Sequence, residues 1–306
     1  MISIVIPVYN SQNNLKKLFD EIKKIFESKN INFECIFIDD GSVDNSWDEI
    51  VRISKEFTNV RGYSLTKNFG QQNATLLGAR KAKYDLIITM DDDFQHPPKE
   101  IFKLINSMDE KTDVVYGIPH KEKRNFFRNL SSTLTKIFFK RILNIIHARK
   151  FNSFRLFRKK NIENLGKFSS PVVDMDALLS WSTNKIKSVQ LENSTRKKGK
   201  TGYNLFNLMD YFFNMLVGVS TAPLRLALYL SLIFLIFGFI LFAYVIFTFF
   251  TSENIVPGFT FLASLILIFS AVQIFLIGLV GEYIAKIFAK SVNKPQYIIN
   301  KTTPDD

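Results

Sequence analysis

Ile87-Ile88-Thr89-Met90-Asp91-Asp92-Asp93-Phe94-Gln95 decides how the chain is read. With Leu86 ahead of it, an apolar run ends abruptly in three carboxylates. Apolar runs of this length, bounded by polar residues, read as strands buried in a parallel sheet. Asp91 and Asp93 stand two apart, so an extended chain projects them to the same side. The carboxyl ends of such strands are where open α/β sheets bind ligands. Two converging carboxylates repel and call for a positive partner. A hard divalent cation with a diphosphate on its far side meets that need, because Mg²⁺ takes one or two carboxylates plus substrate phosphates. An acidic loop closing a strand is the alternative reading.

Outward from this stretch the same pattern repeats. Ile2 to Val8 reads as a buried strand, ended by Pro7 and Asn10, and Phe33 to Ile38 as a second, running into Asp39-Asp40-Gly41-Ser42. Leu15, Leu18, Phe19, Ile22, Ile25 and Phe26 fall at helical spacing between them. Asp44 to Phe57 and Gly70 to Lys83 read as helices, Val60 to Leu65 and Val114 to Tyr116 as strands, and Pro97-Pro98 as a helix start. Regular alternation of strand and helix predicts a parallel sheet with helices on both faces and right-handed crossovers.

The chain has 306 residues and is 47% hydrophobic, with 31 Phe, yet its net charge is +12. These properties are separated along the sequence. Lys121 to Lys160 is rich in Lys and Arg, with Glu122 its only acid, and Phe127, Leu130, Leu134, Ile137, Phe138 and Ile142 repeat at helical spacing. A basic amphipathic helix of this kind fits a membrane surface; a packing helix with a solvated basic face is the alternative. Val173 to Thr183 reads as helix and Lys185 to Leu191 as strand, after which Arg196 to Tyr203 forms a basic, glycine-containing loop suited to closing over phosphates. Leu208 to Val219 reads as an interfacial helix. Leu224 to Phe250 and Phe259 to Val280 are each long enough to span a bilayer core of about 30 Å. Thr251 to Gly258 between them lacks Lys and Arg, whereas Lys197, Lys198, Lys200, Lys286, Lys290 and Lys294 flank the pair on its other side. That asymmetry predicts both termini and the catalytic part in the cytoplasm. No signal-peptide pattern precedes the first strand. The single cysteine, Cys35, reads as a core residue. No zinc-finger, RRM or basic-zipper pattern is present, so nucleic acid is not expected as a partner.

Several stretches together resemble the family 2 glycosyltransferases of GT-A fold, and among them the membrane-anchored polyprenyl-phosphate transferases such as dolichyl-phosphate mannose synthase. They are Ile4-Val5-Ile6-Pro7-Val8-Tyr9-Asn10, Ile38-Asp39-Asp40-Gly41-Ser42, Lys67-Asn68-Phe69-Gly70, Met90 to Pro98, Ser153-Phe154-Arg155-Leu156, Gly199-Lys200-Thr201-Gly202-Tyr203, Ser220 to Arg225 and Gly281-Glu282-Tyr283. The stretch Asp176 to Ile186 and the loop through Tyr203 resemble the aminoarabinose-type undecaprenyl-phosphate transferases, which points to a modified sugar. Two positions depart from many relatives. His96 and Ser153 stand where those carry Asp. His96, beside two prolines, reads as a tolerated surface substitution.

The resemblance implies a GT-A, Rossmann-like nucleotide-sugar domain followed by interfacial helices and a two-helix transmembrane hairpin. The corresponding divisions are 1–120 for the nucleotide-sugar core, 121–203 for the acceptor part with its basic loop, 204–222 for an interfacial helix, 223–281 for two transmembrane helices and 282–306 for a cytoplasmic tail. It implies that Pro7, Tyr9 and Asp40 cradle the base of a UDP- or GDP-type donor, with Lys67, Asn68 and Asp92 in the same pocket. Asp91 and Asp93, assisted by Gln95, are implied to hold Mg²⁺ or Mn²⁺, and Arg155, Arg196 and Lys200 to meet the diphosphate or the acceptor phosphate. The activity implied is an inverting, metal-dependent transfer to polyprenyl phosphate at the inner membrane, by a homo-oligomer in contact with membrane lipids. A lipid phosphate is already anionic at pH 7, so no carboxylate base is needed; Asp174 and Asp176 read as a polar helix face. The alternatives are a family 2 transferase acting on a saccharide hydroxyl, which requires a general base, and a membrane-anchored scaffold without catalysis.

Overall fold

Residues that alternate between two apolar clusters build the sheet. Along β1 (Ile2–Val8), Ile2, Ile4, Ile6 and Val8 face one cluster and Val5 the other. Along β2 (Phe33–Asp39), Cys35 and Phe37 face the first cluster, Ile36 and Ile38 the second. A strand apolar on both faces needs cover on both sides. The computed structural model describes residues 1–119, 152–166, 173–191, 258–291 and 295–303, with isolated positions between 224 and 247. In it, α1 (Leu15–Ser28) and α2 (Ser46–Glu56) cover the first face through residues such as Leu18, Phe19, Ile22 and Ile50.

Next come β3 (Val60–Leu65), α3 (Gln71–Lys81) and β4 (Leu86–Thr89). A single 3₁₀ turn at Pro98–Glu100 leads into α4 (Ile101–Ser107), followed by β5 (Val114–Pro119) and β6 (Arg155–Arg158). The short α5 (Lys160–Glu163), α6 (Met175–Ser182) and β7 (Ile186–Leu191) complete this part. α3, α5 and α6 cover the second face, with Leu76, Leu77, Ile162, Met175 and Leu178 in its cluster. Two-sided cover is therefore present as the alternation predicts.

Among the described residues the sheet has eight strands in the order β7-β5-β6-β4-β1-β2-β3-β8. It is mixed, which corrects the expectation of a parallel sheet. β1 pairs parallel with β2 and β4, β2 with β3, and β5 with β7. β6 lies antiparallel between β4 and β5. Arg-Leu-Phe-Arg at 155–158 falls in the basic span Lys121 to Lys160, beyond its helical spacing, and Leu156 and Phe157 are buried in opposite clusters. At the other edge β8 (Ile299–Thr302) pairs antiparallel with β3, inside the segment read as a tail.

The chain divides into two compact units, Met1–Gly202 with Asn293–Asp306, and Tyr203–Val292. The second unit contains α7 (Phe259–Ser291), a continuous helix of 33 residues. Every described position between 224 and 247 is helical, and Phe234 meets Phe269 of α7 edge-on with ring centroids 6.2 Å apart. Among the described residues, which omit several side chains of α7, no helix is long and apolar enough to cross a membrane. The helical spacing from Phe127 to Ile142 within the basic span, the loop Arg196 to Tyr203 and the helix Leu208 to Val219 lie outside the described residues.

Candidate active site

β1 is flanked by β2 on one side and β4 on the other, so the winding of the sheet reverses there. Crevices outside the carboxyl ends of strands at such a reversal are where ligands bind in open α/β sheets. The three strand ends deliver Pro7, Val8 and Tyr9 from β1, Asp40 from β2, and Asp91, Asp92 and Asp93 from β4 into one cleft. Asn68 and Gln71, from the loop after β3 and the start of α3, complete its lining.

After β1 the chain turns through Asn10 at φ 53°, leaving Tyr9 49% exposed at the mouth of the cleft. The loops after β1 and β2 are knitted together. Asn10 Oδ1 accepts the Val43 N–H at 2.9 Å, and the Asn10 N–H donates to Ser42 Oγ at 3.0 Å. Asp39 and Asp40 have different tasks. Asp39 is committed to the fold, accepting from the Ser64 hydroxyl at 2.8 Å and the Ser42 N–H at 3.1 Å. Asp40 accepts the Phe69 N–H at 2.7 Å on Oδ1 and the Gly70 N–H at 2.9 Å on Oδ2, and so clamps the loop that carries Asn68. Gly41 makes the clamp possible. Its φ is +69°, and a Cβ there would lie 2.5 Å from the Lys67 carbonyl carbon. Burial pushes the Asp40 carboxyl up to about 6, against the pull of the two amides.

Asp91 is held by two side chains. Gln71 Nε2 donates to its Oδ1 at 2.5 Å and the Ser153 hydroxyl to its Oδ2 at 2.6 Å. Burial raises its carboxyl above the usual range, with the Asp93 charge adding to this and the Ser153 bond opposing it. Asp92 is likewise raised by burial, and its Oδ2 is buried with no hydrogen-bond partner among the described residues. Asp93 is exposed, and the backbone and side-chain amides of Gln95 donate to its two oxygens. Phe94 between them sits at φ 59°, an uncommon backbone for a bulky residue, and packs against the first apolar cluster.

The donor set fits a hard cation. No group of three or more His, Cys, Asp and Glu that could hold a metal occurs among the described residues. The cleft instead offers the carboxylates of Asp91 and Asp93, together with the unpartnered oxygen of Asp92. Such a set suits an ion whose remaining positions are filled by phosphate oxygens and water. Gln95 stands beside Asp93 as a positioning group.

Of the cationic residues expected to meet phosphate, only Arg155 falls within the described residues. Arg155 is 2% exposed and forms an ion pair with Asp176 in the interior. Its Nε–H donates to Thr89 Oγ1 at 3.2 Å, and Tyr116 Oη donates to Asp176 at 2.9 Å. It lines a small cavity behind Asp91 that it shares with Ser153, Thr89 and Gln72, not the open cleft. Lys67 is exposed, with its Nζ 5.4 Å from the Phe69 ring centroid. Arg196 and Lys200 lie outside the described residues. Asp174 caps α6, accepting the Ala177 N–H at 2.9 Å. His96 is half-buried and stacks on Phe154 at 5.0 Å with ring planes 7° apart, so the surface position expected for it is corrected to a packed one.

Gln71 and Ser153, which hold Asp91, and the Arg155–Asp176 pairing were missed from the sequence. Gln71 carries no local signal, being one polar residue at a helix start. Ser153 stands out only as a departure from relatives.

Residues 3–166 match the family model for glycosyl transferase family 2, and residues 222–287 match that for the GtrB C-terminal hairpin. The chain is similar to a protein of Bacillus subtilis (strain 168) provisionally named glycosyltransferase CsbB, 30% identical over 98% of this chain and 92% of that one. It is similar also to the undecaprenyl-phosphate 4-deoxy-4-formamido-L-arabinose transferase of Shewanella sediminis (strain HAW-EB3), 30% identical over 97% of this chain and 91% of the relative. Among solved structures, glucosyl-3-phosphoglycerate synthase from Mycobacterium tuberculosis in complex with UDP shares the fold, with a TM-score of 0.52 and 12% identity, covering 72% of this chain and 78% of that one.

Proposed function

We propose, from the premise that this chain belongs to glycosyl transferase family 2, that it moves a sugar with inversion from a nucleotide sugar to the phosphate of a polyprenyl phosphate. The observation that carries the donor half is the convergence of Tyr9, Asp40, Asn68 and Asp91 to Asp93 in one cleft at the sheet reversal. In this reading the exposed Tyr9 ring offers an aromatic face for the base, and Asp40 and Asn68 supply hydrogen-bond partners beside it. Asp91 and Asp93 would hold a divalent cation, which supplies neutralisation of the charge that develops on the leaving nucleoside diphosphate. Gln71 and Ser153 keep the Asp91 carboxylate in place through the bonds described above. An oxygen of the acceptor phosphate forms the new bond to the anomeric carbon. The bond from that carbon to the diphosphate breaks, and the electron pair leaves with the nucleoside diphosphate. The acceptor phosphate is anionic near neutrality and needs no base.

The acceptor half is supported by the hairpin match and by the undecaprenyl phosphate in the name of the Shewanella relative. In the second unit Ile233, Ile236, Phe237, Ile240, Ile274, Phe275 and Ile277 are all exposed. Such apolar surface needs cover, and the apolar sequences Leu224 to Phe250 and Phe259 to Val280 fit a hairpin in the cytoplasmic membrane, with the catalytic unit on the cytoplasmic side. A hydroxyl acceptor is the second reading. It needs a general base, and among the described residues Asp174 is spent on a helix cap and Asp176 on Arg155. The test is to incubate detergent-solubilised protein with undecaprenyl phosphate and a panel of UDP- and GDP-sugars, with Mg²⁺ or Mn²⁺ and with EDTA. A sugar-bearing lipid seen by mass spectrometry only with metal is the expected product. Donor turnover without a lipid product overturns the acceptor assignment.

Asp40 gives this reading a pH signature. Because its pKa is raised to about 6, the folded chain binds this proton more tightly than the unfolded chain. The stability it contributes is complete below about pH 4 and is lost as pH rises through 6. Acidification therefore does not weaken the fold through Asp40, but it removes the charged acceptor facing the cleft. UDP or GDP affinity, measured by calorimetry, is expected to fall several-fold from pH 7.5 to 5.5, and Asp40→Asn to flatten that step. An unchanged pH profile in the variant rules out the role.

A further inference from the structure

The segment after α7 pairs with the sheet edge, meeting β3 first at its carboxyl end, the end that faces the donor cleft. Ile299 pairs with Leu65 at the end of β3, and the Ile298 carbonyl accepts the Thr66 N–H at 3.0 Å. Thr66 is the residue before Lys67 and Asn68. At the far end of the same strand, Gly62 and Thr303 exchange two hydrogen bonds, with the Gly62 N–H reaching Thr303 Oγ1 and the Thr303 N–H reaching the Gly62 carbonyl, both at 3.0 Å. A second anchor lies on α3, the helix whose first residue, Gln71, holds Asp91. Arg80 Nη1 donates to Gln296 Oε1 at 2.8 Å and to Tyr297 Oη at 3.1 Å. Tyr297, Ile299 and Phe69 pack against one apolar cluster.

The loop from Thr66 to Gly70 is thus fixed at its start by the returning strand and at its end by the Asp40 carboxylate. We propose that this C-terminal strap is a positioning element of the donor site, holding the 66–70 loop so that Asn68 and the amides bound by Asp40 stay in register with the cleft. Without β8, β3 becomes an unpaired edge with open backbone groups, and the loop loses its anchor at Thr66 while its far end stays tied to Asp40 and to the start of α3. The strap follows α7 in sequence. The contact stands on the geometry alone; its consequence for the donor rests on the nucleotide-sugar reading.

Two full-length variants test it. Ile299→Asp sets a charge against the apolar cluster and expels the strap. The milder Thr303→Val with Tyr297→Phe removes one bond at each anchor and decides the matter if the first fails to fold. Amide hydrogen exchange at 299–302 reports strap release, and exchange at 66–70 reports the loop. Both variants are expected to raise exchange at Thr66, Phe69 and Gly70 by roughly five- to tenfold, with β1 and β2 unchanged, as loss of one or two net hydrogen bonds implies. UDP or GDP with Mn²⁺, measured by calorimetry, should bind weaker by a similar factor. The donor KM should rise while kcat at saturation changes little. Loop protection at the wild-type level in both variants overturns the proposal. If the wild-type protein binds neither nucleotide, the donor reading falls, and the exchange data still decide the strap.

Discussion

Replacing either Asp91 or Asp93 by Asn is expected to lower lipid-linked product formation by a factor on the order of 10²–10³ and to leave the fold intact. The amide keeps the shape of the carboxylate and removes the charge a cation needs. For Asp91 the stability effect has a definite sign. Burial and the Asp93 charge hold its carboxyl above the usual range, so carrying the ionised form costs the folded chain stability relative to the unfolded one. Asp91→Asn should therefore unfold at the same temperature as the wild type or a higher one. Asp93 is exposed, and its replacement should leave the melting temperature within error. Initial rates with and without EDTA, alongside thermal unfolding, separate the two effects. Full turnover by either variant would falsify the assignment of the cation to this pair. Turnover and stability falling together would mean that the carboxylates serve the fold.

Asp176→Asn carries the largest expected loss of stability, about 3–5 kcal/mol, because it leaves a buried guanidinium without its counter-charge. Arg155 is 2% exposed and central in the sheet, on β6 between β4 and β5. Its side chain cannot lose its proton to escape the cost. Measured against a typical domain stability of about 5–15 kcal/mol, such a loss leaves little margin. Chemical denaturation should show it as a lower midpoint with an unchanged slope. The paired replacement Arg155→Met with Asp176→Leu removes both charges and should recover most of the loss. Turnover should not recover with it. Arg155 Nε bonds Thr89 Oγ1, that hydroxyl donates to the Ser153 carbonyl at 2.6 Å, and Ser153 Oγ bonds Asp91. The double variant unties this chain behind the Asp91 carboxylate. A stable, fully active double variant would reduce the pair to packing.

The sequence by itself determined the elements whose apolar pattern is unambiguous. The runs Ile2 to Val8, Phe33 to Ile38 and Leu86 to Met90 each break off at polar residues, and a strand buried on both faces can be read from such a run alone. Ligand clefts in open α/β sheets lie at such breaks, so Asp91 and Asp93 could be named from the pattern and Pro7, Tyr9, Asp40 and Asp92 from the family resemblance, and all of them line one cleft. Only the tertiary structure decided the rest. β6 carries Arg155, expected to meet a phosphate, and Asp176, 21 positions later, supplies the charge that lets it be buried instead. Asp39 and Asp40 are alike in sequence, and only the neighbouring Ser64 and the loop amides of Phe69 and Gly70 separate fold from site. The partners of Asp91 come from positions 71 and 153. β8 is a short polar strand that exists only because β3 has an open edge to pair with. Local pattern fixes what a segment buries, whereas pairing between distant residues fixes which charges and edges can be satisfied, and that information is not local.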